Sequence, residues 1–214
     1  MKINFPLLAL AVGAFAIGTT EFSPMGFLPE IANDLSVSIP QAGLLISAYA
    51  VGVMIGAPLM TLWLARFPKK TALILLMAIF TIGNVLATVA PDYMSLMGAR
   101  LITSLNHGAF FGLGSVVAAS VVPKDKQASA VAMMFMGLTI VNIGGVPLAT
   151  WLSQNTSWRM AFAAISILGI ITMLALWKAL PQDHDVVKPN VAKELRVLTR
   201  APVVLALLTT VMSA

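Results

Sequence analysis

Three side chains have the right types for proton chemistry and sit where charge is scarce: Glu21, Arg100 and His107. No Asp, Glu, Lys or Arg occurs in residues 3–20, 35–65, 71–91, 127–158 or 160–177. A carboxylate in apolar surroundings is costly unless it is paired, hydrated or protonated. Such a group takes up and releases a proton as its surroundings change. Arg100 carries a fixed positive charge and is the natural partner for Glu21. An unperturbed imidazole has its pKa near neutrality, so His107 is a candidate relay. The chemistry suggested is proton exchange at Glu21, tuned by Arg100. Each residue also has a plainer reading. Glu21 is an interfacial acid if its span ends early, Arg100 snorkels if it lies near a helix end, and His107 is a satisfied packing histidine.

These residues need elements to hold them, and the composition says which. Of 214 residues, 59% are hydrophobic and 10% charged, against roughly half and a quarter in soluble domains. A bilayer span needs about 20 mostly apolar residues. The apolar runs predict spans over 5–29, 41–64, 71–90, 94–121, 128–150 and 160–178, and the start of a seventh at 201–214. Only helices or closed barrels satisfy their backbone in lipid, and no run alternates as barrel strands do. The class is an all-α membrane protein. A signal peptide is not the reading of the first run, which is too long and lacks a clear cleavage site. With no cysteine and two histidines, no metal site or cofactor is implied. The net charge of +5 does not point to nucleic acid, because the basic residues flank the apolar runs. No phosphate loop, nucleophile elbow or carboxylate pair argues for an enzyme.

Depth brings the three residues together. Glu21 lies about 24 Å along a helix from Phe5, and Arg100 about 9 Å into the fourth span from its other end. Their levels match. Pro24 lacks an N–H and clashes with the Thr20 carbonyl, so a kink is expected beside Glu21, followed by Gly26. His107 falls seven residues after Arg100, on a stripe with Thr103 and Ser104. The amides Asn84, Asn106 and Asn142 either bond between helices or line a substrate cavity, with Met134 as an adaptable apolar contributor. Ala48, Gly52 and Gly56, then Gly108 and Gly112, then Gly137, Gly144 and Gly145, form ladders of small residues that let backbones approach.

Lys and Arg in short loops set orientation. With the N-terminus inside, Lys2, Arg66, Lys69, Lys70, Lys124, Lys126, Lys178, Lys188, Lys193, Arg196 and Arg200 are cytoplasmic. Residues 1–180 then form a six-span bundle, 181–200 a polar cytoplasmic linker and 201–214 the truncated start of a seventh span. Gly56-Ala-Pro58-Leu59 in the second span recurs as Gly145-Val-Pro147-Leu148 in the fifth, which runs the opposite way. That suggests two inverted three-helix repeats.

Four stretches resemble the major facilitator superfamily, more narrowly its twelve-span drug:proton antiporter and sugar-efflux branch. They are Gly18-Thr-Thr-Glu21-Phe22 with Gly26-Phe-Leu-Pro29-Glu30, Arg100 with Asn106-His107-Gly108 through Gly112, Gly137 through Gly144-Gly145-Val-Pro147, and Trp158-Arg159-Met-Ala-Phe162. The resemblance covers the chain as an N-terminal half. It implies a bacterial inner-membrane transporter that exports a small organic solute such as a sugar or drug against proton entry, with lipid, protons, solute and a C-terminal half as partners. It also implies a link between Arg100 and proton coupling. The loop after the second span departs from the family pattern. Arg66, Pro68, Lys69 and Lys70 keep its basic cluster, but Ala65 stands where the family has an acid. The rival readings are an uncoupled uniporter, told apart by an uncoupler, and a membrane binding or assembly component that moves nothing, told apart by reading the coding sequence past Ala214.

Overall fold

A computed structural model describes residues 4–181, all of them in helices and short connections. The helices are α1 (Phe5–Phe22), α2 (Leu28–Asp34), α3 (Ile39–Leu64), α4 (Lys69–Thr88), α5 (Tyr93–Ser104), α6 (His107–Ser120), α7 (Gln127–Ile140), α8 (Val146–Asn155) and α9 (Trp158–Ala179). Among the described residues they make six stretches long and apolar enough to cross a membrane: 5–34, 39–64, 69–88, 93–120, 124–155 and 158–179. The expected linker and seventh span lie outside the described residues, apart from Pro181.

Local chemistry sets the helix starts. Asn4 caps α1 and Ser157 caps α9 through backbone N–H groups. Ser38 and Gln41 form a reciprocal capping box on α3, as Asp92 and Ser95 do on α5. The Ser95 hydrogen bonds hold the exposed Asp92 carboxyl below its ordinary range. Ser36 adopts a left-handed conformation (φ 53°) in the tight turn between α2 and α3.

Three of the spans are interrupted, the first of them at the expected Pro24 kink. The first passes through a 3₁₀ turn at Ser23–Phe27 around Pro24, as its missing N–H requires. The fourth does not run straight through 94–121, because α5 stops at Ser104 and α6 restarts at His107. The fifth widens into a π-helical turn at Val141–Gly145 just before Pro147, whereas α3 passes Pro58 without a break. All three breaks carry residues singled out in the sequence: Pro24 and Gly26, Asn106 with His107, and Asn142 with Gly144 and Gly145.

Packing places α1 against α7 and α9, α4 along α9, and α5 between α3 and α4. Small residues make the crossings possible. A Cβ on Gly56 would lie 2.7 Å from the Leu105 Cα, one on Gly83 would lie 2.8 Å from the Thr103 nitrogen, and one on Gly137 would meet the Phe15 nitrogen at 2.9 Å. Gly108 packs on Ala57 and Gly145 on Thr19. The ladder reading fails at Gly112 and Gly144, where a Cβ would meet nothing within 4 Å. Helical spacing alone does not tell a packed face from an open one.

Each end of the bundle is strapped. At one, Lys70 donates to the Leu180 carbonyl at 2.7 Å, and Asn4 reaches the Val121 carbonyl. Arg66 lies over Trp63 and Phe67. The basic loop that lacks the family's acid therefore makes local contacts, and Lys69 opens α4 beside it. At the other end, Trp158 Nε1 donates to Asp34 at 3.0 Å, and Arg159 bonds both Asp34 and the Ala90 carbonyl. The Trp158-Arg159 pair thus ties the first, third and sixth spans together.

Replacing Gly83 by Val should force α4 and α5 apart, because the obstacle is Thr103 backbone. The folded, monodisperse fraction on size exclusion should collapse. Gly98→Ala, where a Cβ meets nothing within 4 Å, should leave it unchanged.

Candidate functional site

The Pro24 break creates the first half of the site. Pro24 cannot bond back to the Thr20 carbonyl, and Arg100 fills that vacancy, its Nη1 donating to Thr20 O at 2.7 Å. Arg100 is 1% exposed. Its guanidinium lies over the Tyr49 ring, 4.2 Å from the centroid, a cation–π contact that strengthens once water is excluded. The Thr20 hydroxyl donates to Asn84 Oδ1 at 2.6 Å, and Asn84 Nδ2 donates to the Phe80 carbonyl. The first, second, third and fourth spans therefore converge on one arginine.

The fourth-span break supplies the second half. His107 opens α6, with its Nδ1 3.1 Å from the Tyr49 hydroxyl and its Nε2 3.8 Å from Glu21 Oε2. Glu21 ends the last turn of α1 and remains partly open, with 29% of its side chain exposed against 15% for His107. The Phe111 ring lies beside the imidazole, 5.1 Å between centroids, and stacks on Phe135 of α7.

Glu21 and Arg100, expected to interact as an ion pair or through a hydrogen-bonded water network, make no direct ion pair. Glu21 faces His107, while Arg100 faces a carbonyl and a phenol ring, though the two charges are near enough to feel each other. Matching depths fixed their heights correctly but not their directions around the helix axes. His107 and Arg100 also do not share one continuous helix, since the chain breaks between them. Tyr49 and Thr20 complete the cluster. The signal for Tyr49 was available, because a phenol hydroxyl deep in an uncharged span must find a partner.

The residues expected to line a cavity divide. Asn84 and Met134 are fully buried. Asn84 is spent on Thr20 and Phe80, and Met134 fills the space over Gly114, so both are packing residues of this half. Asn142 is exposed at the π turn and bonds only back to Leu138. Asn106 is buried at the fourth-span break, and neither atom of its amide has a partner among the described residues. Arg100 Nε and Nη2 are likewise without one.

Comparisons with known proteins bear on the family and the fold. The profile of the Major Facilitator Superfamily matches residues 10–214. The chain is 68% identical over 214 residues to the inner membrane transport protein YdhP of Escherichia coli K12, covering 100% of this chain and 55% of that protein. It is 40% identical over 196 residues to the putative transporter AraJ of the same organism, covering 92% and 50%. The solved xylose transporter XylE of E. coli, partially occluded and inward open, superposes with a TM-score of 0.68 at 18% identity over 83% of this chain and 48% of that one. That likeness concerns the fold. The chain spans about half the length of the curated relatives it matches.

Arg100→Lys keeps the charge but loses the planar fork and the flat face. It should lower the stability of the purified protein by about 1–3 kcal/mol, the cost of leaving a buried acceptor unsatisfied. A thermal melt in detergent measures this, and an unchanged midpoint would mean that the Thr20 and Tyr49 contacts do not hold the guanidinium.

Proposed function

The chain belongs to the Major Facilitator Superfamily, a family of transporters rather than enzymes, and we propose that it is one half of a secondary active transporter that exports a small organic solute, a sugar or a drug, in exchange for protons. It resides in the bacterial inner membrane with its N-terminus in the cytoplasm. Glu21 exchanges the proton, Arg100 supplies the fixed charge that tunes it, and His107 contacts the carboxylate. The observation that carries this reading is the position of Glu21. It is the partly open acid of the cluster, 3.8 Å from an imidazole whose Tyr49 partner also carries the buried guanidinium.

Burial also favours a second half. Only 22% of the most apolar stretch of the second and fifth spans is buried, against 39–56% in the other four. Those two spans offer the faces a partner half would cover, and Asn142, Gly112 and Gly144 lie open on the fourth and fifth spans. The solute cavity lies between the halves, lined by the first, fourth and fifth spans, and the exposed Asn142 is the amide proposed to reach it. Rocking of one half against the other gives alternating access. The breaks at Pro24, Leu105–Asn106 and Val141–Gly145 give the lining helices free backbone groups where a cavity can use them.

In proteoliposomes holding the transporter with both halves, Glu21→Gln should abolish solute flux driven by a pH gradient while solute counterflow persists. Coupled flux at the wild-type rate would remove Glu21 from the mechanism.

A further inference from the structure

The Tyr49 hydroxyl is buried, with Tyr49 only 2% exposed, and among the described residues its hydrogen-bond partner is His107 Nδ1 at 3.1 Å. That contact can run in two directions. If Nδ1–H donated to the phenol oxygen, the phenol proton would be left buried without an acceptor. If the phenol donates, every proton in the contact is used, and a buried donor that can be satisfied is satisfied. The Arg100 guanidinium over the ring withdraws electron density from the phenol and makes it a better donor. Tyr49 therefore donates, Nδ1 accepts, and the neutral imidazole carries its proton on Nε2. Nε2 is the atom that faces Glu21 Oε2.

The geometry points to Tyr49 as a positioning residue for proton exchange: it locks His107 in the Nε2–H tautomer, so that the imidazole presents a donor, not a lone pair, to Glu21. This deepens the proton-exchange reading and rests on it. At 3.8 Å the contact is longer than a direct hydrogen bond. A small turn of the half-open carboxylate, or one bridging water, closes it. A donor facing Glu21 favours the ionised carboxylate, whereas a lone pair would favour the protonated acid. The charged or titratable groups around the imidazole are Glu21 from α1, Tyr49 from α3 and Arg100 from α5. Phe111 and Phe135 close the remaining side. The lock is thus a neutral device. It sets the charge state of Glu21 without adding a second cation beside Arg100.

The test uses the transporter with both halves, reconstituted in lipid with ¹⁵N-labelled histidine, with His107→Gln to assign the His107 signals. Wild type should show His107 in the Nε2–H form. Tyr49→Phe keeps the ring under Arg100 and removes only the donor. It should give a mixture of tautomers, reduce coupled flux at least tenfold and move the pH midpoint of the remaining flux upward, with solute counterflow retained as the sign of a folded protein. An Nδ1–H tautomer in wild type, or a Tyr49→Phe protein with unchanged tautomer and unchanged coupled flux, would overturn the assignment. The tautomer is read without transport. Its failure is therefore distinct from failure of the proton-exchange reading, which Glu21→Gln decides.

Discussion

A permanently charged guanidinium sealed inside an apolar helix bundle is the constraint around which this half is arranged. Arginine does not shed its proton to escape burial, so protein groups have to compensate for lost water. Here the compensation comes from a carbonyl that Pro24 has released from its own helix and from the face of Tyr49. Both are made by breaking or crowding regular structure. The first span must turn 3₁₀ at Ser23–Phe27, and the second must bring an aromatic ring into a crossing kept tight by Gly52 and Gly56. The compensation is incomplete, because Nε and Nη2 have no partner among the described residues.

The same logic explains why the chemistry gathers at helix interruptions. A straight helix in lipid has no backbone groups to offer. The Pro24 break offers the Thr20 carbonyl, and the break after Ser104 places His107 at the first position of a new helix, turned toward Tyr49 and Glu21. The bundle ends carry the opposite character. They are fastened by Lys70 on Leu180 and by Asp34 with Trp158 and Arg159, which hold the spans in register.

Much of this could be read from residues alone. Six spans followed from the apolar runs, and the Pro24 kink with its freed carbonyl followed from the missing N–H. The heights of Glu21 and Arg100 followed from counting residues along helices. Their azimuths did not, because counting along a helix fixes depth and leaves rotation free. That is why the direct contacts of Glu21 with His107 and of Arg100 with Thr20 were not foreseen beside the expected ion pair or water network. Gly112 and Gly144 misled for a related reason: the same four- and seven-residue spacings serve packed and open faces. The wide turn at Val141–Gly145 was signalled by Gly144, Gly145 and Pro147, but those residues fit a simple kink equally well. For Asn84 and Met134 packing and cavity lining both stayed open, because an amide or thioether in a span has no intrinsic address.

The central claim is that Glu21 gains and loses a proton within the bundle beside Arg100, and infrared difference spectroscopy across a pH step tests it most directly. The account predicts a protonated-carboxyl stretching band that titrates in the wild-type protein in lipid and is missing from Glu21→Gln. A spectrum without such a band, or with one that survives the substitution, would contradict it.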